Sequence, residues 1–599
     1  MGALARLRRK VKRQVRAMPR RSRKAARIAI TYAETAVAVR RHQEQRHEDA
    51  LSWLQDAARR SPADMRVARL RSQVLARTGR MSDALTEASR LVIEAPSARN
   101  RRLQRSLQGR WVETDATWMP NVPTLGSTGT QPVAPVQPIV GRVLYLAKES
   151  MPHRNNGYCT RTHETLLAVR AAGRDPIAVT LPGFPAVAPG EDTAMPVARS
   201  SRVDDIEYHH VMPGAQHLLG DVTYDEYVQL TTTAFAREVR RVRPEVLHAG
   251  SGHRGYDIAI VGQTLAAWAD LPWIYEVRSF FETTWTADER YAEHAEYYHR
   301  RFDSESRAMR AADAVVTLSG PMRDEIINGH GIDPANVFVI PNAVDLERFV
   351  PVSRADSASL ELTCRLGLEG TFVLGYISNL DHFREGQEVL LEAAAMLRAE
   401  GRSVSVLLVG EGRRKAELEE KARTLGLGRS CVFAGSVPFD EVPAWYAQID
   451  LFVVPRVPER AGRMVSPMKP FEAMAMEIPV MVSDLPALVE IAGTDEERAF
   501  VFTAGDPASL AARVAVLIDR PEELAKRVSA AGDWVRRERT WEGNGKAFDD
   551  VYRFAQERHR TRTSGTSVRT SDLVGTSDPV GTSADSVGTS IETPGVAAC

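Results

Sequence analysis

Cysteine is scarce in this chain of 599 residues. There are four, Cys159, Cys364, Cys431 and Cys599, with neither metal-type spacing nor a disulfide framework. A reducing cytoplasm is the compartment that fits. Long apolar runs are missing as well. No stretch approaches the roughly 20 apolar residues that a membrane-spanning helix requires. The opening segment is basic but has no apolar centre, so a secretory signal is not expected. Arg6 stands where a myristoylation site needs Ser or Thr. Acid is absent from the first 27 residues, which hold twelve Lys and Arg. Finally, no Asp-x-Asp pair occurs anywhere, so no divalent metal is expected at the functional site. What remains is an ordinary soluble composition, 43% apolar and 26% charged, over a length that implies more than one domain.

Residues 1–45 read as a basic amphipathic helix, with Leu4, Leu7, Val11 and Val15 at helical spacing among Arg and Lys. Each cation near an anionic membrane contributes on the order of 1 kcal/mol. A solvated arm or a nonspecific nucleic-acid contact would use the same charges. The one-sided apolar face favours the membrane, and no nucleic-acid partner is expected. Residues 46–112 contain a repeat at an offset of 34: Asp49-Ala50-Leu51 recurs as Asp83-Ala84-Leu85, and Ser61-Pro62 answers Ala95-Pro96. That period resembles tetratricopeptide repeats. Two units are too few to stand alone, so this piece is expected to pack on something else, with a protein partner as one option. Residues 116–139, rich in Pro, Gly and Thr, read as a linker.

From Val140 apolar strands alternate with amphipathic helices, the pattern of parallel sheets covered on both faces. The first half, 140–345, has expected strands at Val143–Ala147, Ile177–Thr180, Val246–His248, Trp273–Val277, Ala314–Leu318 and from Val337 on. The second, 346–559, has them at Phe372–Ile377, Val404–Val409, Val432–Ala434, Leu451–Val454, Val480–Val482 and Phe500–Phe502, followed by closing helix from about Pro521 to Gln556. Beyond residue 560, Val-Gly-Thr-Ser recurs at Val574, Val580 and Val587; so few apolar residues predict a disordered tail.

The chemistry collects where strands of the second half run into helices, since open parallel sheets bind ligands at those strand ends. Lys469 and Pro470 open a helix with Glu472 in its first turn. The helix N-terminus offers N–H groups to a phosphate, and the carboxylate can bond a ribose hydroxyl. Arg384-Glu385-Gly386 follows one strand and Arg456 another, so Arg384, Arg456 and Lys469 could converge on one diphosphate at roughly 1.5–3 kcal/mol per charge-assisted bond. Gly410-Glu411-Gly412 follows Val406–Val409, where glycine lets a ligand approach the backbone.

Several stretches together resemble family 4 glycosyltransferases. They are Ala312-Asp313-Ala314-Val315-Val316-Thr317-Leu318-Ser319, Ile340-Pro341-Asn342-Ala343-Val344-Asp345, Val409-Gly410-Glu411-Gly412, Phe433-Ala434-Gly435 and Lys469-Pro470-Phe471-Glu472-Ala473-Met474-Ala475. The resemblance implies an α/β GT-B fold of two tandem Rossmann-like domains, here behind a helical repeat region and before a disordered tail. It implies a nucleotide-diphosphate sugar as donor and no cofactor besides. Glu472 would match the second Glu of the family's E-x7-E motif and hold the donor ribose; Lys469, Arg456 and Arg384 would face the diphosphate and sugar. The Asn156-Gly157 turn would close over the phosphates, while Glu276 and Arg278, with His248 on the adjacent strand end, would face the reacting sugar. Two departures stand out. Met464 occupies the place of the first Glu, and Glu385-Gly386 replaces the usual Lys-Gly. Both occur together in a branch with a Glu-Gly loop and a Lys-Pro-x-Glu helix start.

The activity implied is a retaining, metal-independent transfer to a cell-envelope glycan or lipid-linked acceptor, on the inner face of the cell membrane. The acceptor hydroxyl would attack the face from which the diphosphate leaves; double displacement through Glu276 is a less favoured route. Two other readings use the same residues: a non-hydrolysing sugar-nucleotide epimerase, and an inactive scaffold whose repeats recruit partners.

Overall fold

The computed structural model describes residues 19–44, 46–123, 136–186, 198–211, 222–286 and 288–571. The segment carrying Leu4, Leu7, Val11 and Val15 lies outside them, as do the three Val-Gly-Thr-Ser repeats and the centre of the expected linker.

Five helices come first: Arg20–Gln43, His47–Arg60, Met65–Arg77, Met81–Glu94 and Ala98–Glu113. The helix at Met81 repeats the one at His47 at the offset of 34 seen in the sequence. Leu51, Leu54, Val67, Val74, Leu75, Met81 and Leu107 close their own small core. The bundle then docks on the first α/β half. Glu113, at the end of the fifth helix, is fully buried there; it accepts from the Tyr256 hydroxyl at 3.0 Å and pairs with Arg254 at 2.9 Å. Burial pushes the Glu113 carboxyl above its ordinary range against the pull of Arg254. Gly79 sits with φ +71°, where a Cβ would strike Trp285 and Ala295, and its carbonyl accepts from Tyr297 N at 3.0 Å. Arg300 lies 3.7 Å over the Trp111 ring. The surface on which the repeats pack is therefore this chain itself.

The helix Arg20–Gln43 is inside out. Thr31, Glu34 and Ala38 face inward, Glu34 paired with Arg60, while Ala25, Ile28, Ala29, Tyr32, Ala33, Ala36 and Val39 form an exposed stripe.

The first half holds an eight-stranded sheet: β1 Arg142–Ala147, β2 Asp175–Thr180, β3 Ser200–Val203, β4 Ile206–His210, β5 Val246–Gly250, β6 Trp273–Glu276, β7 Ala314–Thr317 and β8 Val337–Val339. The order is β3-β4-β2-β1-β5-β6-β7-β8, parallel except for the edge strand β3. The β3–β4 hairpin is absent from the sequence expectation. Its strands are short and polar, and Asp204 and Asp205 at the turn carry φ of 43° and 67°, the two left-handed residues a tight hairpin needs. The second half is a six-stranded, all-parallel sheet: β9 Phe372–Ile377, β10 Val404–Val409, β11 Cys431–Gly435, β12 Leu451–Val454, β13 Val480–Ser483 and β14 Phe500–Phe502, in the order β11-β10-β9-β12-β13-β14. Strands buried on both faces need near-continuous apolar runs, which these have.

The closing stretch is two helices, Pro521–Glu538 and Trp541–Ser571. The second crosses back to the first half, burying Phe548, Val551, Tyr552 and Ala555 against Val143, Val246, Ile274 and Val316. Residues 560–571 are helical rather than tail. Arg562 and His559 reach Asp313 of the first half and hold that extension down. No helix among the described residues is long and apolar enough to cross a membrane.

Candidate active site

The donor side expected from the sequence is a cradle at the carboxyl ends of β9 and β12. The helix Lys469–Ala475 follows β12 after a loop and the short helix Arg460–Met464, with Pro470 in its first turn, where a missing N–H costs nothing. Glu472 is buried within it. Its carboxylate accepts from the Tyr446 hydroxyl at 2.8 Å and from Lys469 Nζ at 3.1 Å. Tyr446 therefore fixes one oxygen from below, and Lys469, with 32% of its side chain exposed, covers the carboxylate from the solvent side. Two first-turn amides expected to be free for a phosphate are partly engaged: Phe471 N and Glu472 N donate to the Met468 carbonyl at 3.0 and 3.4 Å.

A second carboxylate is held the same way. Tyr376 donates to Glu385 at 2.5 Å, and Arg456 grips both Glu385 oxygens at 3.2 and 3.3 Å. Burial pushes Glu385 up, but Arg456 and Arg384 outweigh it and hold the carboxyl below its ordinary range. Arg456 also donates to the Val465 carbonyl at 2.8 Å and keeps only 10% of its side chain exposed. The expected convergence of three cations on one diphosphate thus needs correction. Arg456 is spent on Glu385, whereas Arg384, 28% exposed, and Lys469 stay accessible.

The glycines serve close packing of the chain on itself. A Cβ on Gly386 would lie 1.8 Å from the Pro455 carbonyl oxygen, one on Gly410 1.9 Å from that of Ser378, and one on Gly412 2.2 Å from the Leu380 carbonyl carbon. They let the loops after β9, β10 and β12 stack. Glu411 points outward, half exposed, and pairs with Lys415 at 2.6 Å.

In the first half, Glu276 sits at the end of β6 as expected but does not face the cleft. It is 0% exposed. Arg161 reaches it at 2.8 Å, Arg278 at 2.7 Å and the Tyr145 hydroxyl at 2.7 Å. Burial alone would raise its pKa; Arg278 and Arg161 win and hold it well below the carboxylate range. With both oxygens bonded inside the protein and the side chain shut off from solvent, Glu276 is not presented to an anomeric carbon in the cleft. His248 is likewise buried, bonded through Nδ1 to the Tyr552 hydroxyl at 2.9 Å and 3.5 Å from Glu276. Burial lowers its pKa, which keeps the imidazole neutral. Arg161 also donates to the carbonyls of Ile340 and Pro341 at 2.8 and 3.0 Å. Glu276, Arg278 and His248 are therefore a buried brace joining β5, β6, the helix Gly157–Ala171 and the end of the first half.

The Asn156-Gly157 turn is the first-half feature that does meet the second half. Asn156 caps the helix, its side chain accepting from Tyr158 N and Cys159 N at 3.0 Å each, and a Cβ on Gly157 would stand 3.4 Å from the Met468 methyl. Beside it, a cavity of about 460 Å³ opens between that helix and Asp345–Arg348, lined among others by Met151, His163, Glu164, Asp204, Asp345 and Arg348. A smaller pocket shares Glu164, Asp345 and Arg348 with it and touches Met468 and Glu472. Burial, with the neighbouring Asp345, pushes the Glu164 carboxyl up to about 7. Among the described residues no group of three or more His, Cys, Asp or Glu side chains is placed to hold a metal ion.

Residues missed by sequence reasoning are Tyr376, Tyr446 and Arg161, which orient the carboxylates, and Arg460, which crosses between the halves. Tyr376 could have been flagged as the one hydroxyl in an otherwise apolar central strand.

Known proteins share this plan. Residues 156–343 match the family described as glycosyl transferase 4-like domain, and residues 371–520 match glycosyl transferases group 1. The two matches fall one on each α/β half, in that order, and the fold is the GT-B arrangement. It is 29% identical over 234 residues to 2-deoxystreptamine glucosyltransferase of Streptomyces kanamyceticus, which is 39% of this chain and 58% of that protein. Among solved structures, sucrose-phosphate synthase from Thermosynechococcus elongatus superposes with a TM-score of 0.54 at 18% identity, covering 69% of this chain and 98% of the other. An Anabaena protein solved in complex with UDP gives 0.50 at 16%, covering 68% and 99%. The chain spans about 58% of the length of the curated relatives it matches.

Proposed function

We propose that this protein transfers a glycosyl group, with retention, from a nucleotide-diphosphate sugar to a cell-envelope glycan or lipid-linked acceptor. The observation that carries the reading is the Tyr446–Glu472–Lys469 cradle at the end of β12, a carboxylate locked in place beside an accessible cation. Glu472 holds the ribose hydroxyls. Lys469 and Arg384 meet the diphosphate, and the Asn156-Gly157 turn approaches it from the first half. UDP binding by the Anabaena protein of similar fold supports a nucleotide donor.

With Glu276 braced in the interior, catalysis falls to leaving-group stabilisation. The acceptor hydroxyl attacks from the face on which the diphosphate departs, and the departing phosphate oxygen takes its proton. Preorganised donors at the developing charge are usually the largest catalytic term. No metal is assigned to this step, because the sequence offers no Asp-x-Asp pair. The exposed stripe of the helix Arg20–Gln43, with the basic residues that precede it in the sequence, supports docking on an anionic membrane, where a lipid-linked acceptor would reside.

The test is product analysis. Incubation with a donor and acceptor extract should release nucleotide diphosphate together with a glycosylated product of unchanged anomeric configuration, and excess chelator should leave the rate intact. Isomerised nucleotide sugar without diphosphate release would assign the epimerase reading instead.

A further inference from the structure

We propose that the segment from Arg456 to Met468 is a strap that fixes the working position of the two halves, with Arg460 and Met464 as its positioning residues. It belongs to the second half and follows β12, yet Arg460, Met464, Val465 and Ser466 all make contacts on the first. Arg460 reaches Glu282 at 2.9 Å and Glu325 at 2.7 Å and lies 5.0 Å from the centre of the Phe280 ring. Ser319 donates its hydroxyl to the Met464 carbonyl at 2.6 Å, and Asn342 Nδ2 donates to the Ser466 carbonyl at 2.7 Å. The Met464 and Val465 side chains pack against the first half's core, which includes Val277, Phe280, Leu318 and Met322.

These contacts explain the departure at Met464. A glutamate there would bring a charge against an apolar core, where an unpaired carboxylate is costly. The methionine instead acts as a knob between the halves. Arg460 is equally committed. Glu282 is buried, its second oxygen has no hydrogen-bond partner, and burial pushes its pKa up against the pull of Arg460.

The strap ends where the cradle starts. Pro467 and Pro470 flank Met468 and Lys469, and proline fixes φ near −65°, so a shift at Met464 passes stiffly to Lys469 and Glu472. At the same point Met468 faces Gly157 of the first half. Docking the strap therefore brings the cradle and the Asn156-Gly157 turn to their mutual distance. This rests on the reading that the cradle holds a nucleotide-sugar donor.

The test uses the full chain with Met464→Glu, Met464→Leu and Arg460→Gln, UDP and UDP-glucose as probes, and small-angle scattering of the unliganded protein. On this reading Glu472, Lys469 and Arg384 of the second half carry most of the contacts to UDP, so both charge-changing variants should keep its affinity within about 3-fold while UDP-glucose turnover falls about 100-fold, the scale of a broken buried pair. Met464→Leu should retain turnover within about 3-fold, because volume and apolarity are kept. Arg460→Gln should widen the radius of gyration. Should Met464→Glu not fold, Arg460→Gln carries the same comparison. Turnover kept or raised in Met464→Glu would place that side chain at the sugar and overturn the strap; so would UDP affinity falling in step with turnover. If wild type binds neither probe, a uridine donor is ruled out while scattering still decides the strap: equal radii for wild type and Arg460→Gln overturn it.

Discussion

Tyr446 donates its hydroxyl hydrogen to Glu472 at 2.8 Å from a fully buried position, and the same device recurs where Tyr376 donates to Glu385. The two differ in what else they meet: Arg456 closes both oxygens of Glu385, whereas the second oxygen of Glu472 meets only the half-exposed Lys469, which can give way to a ribose diol.

Removing the Tyr446 tie should loosen recognition without unfolding the sheet. Tyr446→Phe should weaken UDP binding about 5- to 10-fold, the worth of one ordinary hydrogen bond of about 1 kcal/mol, because the loss reaches UDP only through Glu472. Calorimetric titration measures it. Unchanged affinity would mean Glu472 needs no anchoring.

The buried brace makes the opposite forecast. Glu276→Gln strips Arg161 and Arg278 of their shared anion, and breaking such a buried pair costs about 3–5 kcal/mol. The melting temperature should drop by many degrees. Full stability with turnover abolished would instead return Glu276 to the role of nucleophile.

Glu164 gives stability a pH slope of known sign. Its folded pKa of about 7 lies above the ordinary value of 4.5. Between those values the unfolded chain loses its proton first, so this group lowers stability as pH rises from about 4.5 to 7 and has no effect below that window. Glu164→Gln should therefore melt higher than wild type at pH 8 and equally at pH 4. A difference of the same size at both would assign the effect to packing.

Membrane docking has its own readout. Wild type should sediment with vesicles containing anionic lipid and not with neutral ones, and exchange of Ile28, Tyr32 and Val39 for Ser should release it. Retention of that triple variant would move the contact to the basic residues before Pro19.

Much of this was legible in the sequence. The apolar runs gave twelve of the fourteen strands because parallel strands buried on both faces cannot avoid them. The cradle was legible too, since Lys469, Pro470 and Glu472 fall within one helical turn. Orientation was not. Glu276 could be placed at a strand end from its neighbours, but whether it faces the cleft is decided by Arg161, more than a hundred residues earlier. Arg456 was read as free for the same reason: its partner Glu385 lies on another loop. Met464 looked like a lost contact, and only the first half's core against it gives it a purpose.

The most direct test of the account is a binding and turnover panel of nucleotide-diphosphate sugars on the full chain, beside Glu472→Ala. The account predicts that one donor binds, is slowly converted to free nucleotide diphosphate, and loses about 10- to 100-fold in affinity in Glu472→Ala, the loss of charge-assisted bonds to the ribose. Equal binding by wild type and Glu472→Ala, or binding of no donor at all, would contradict it.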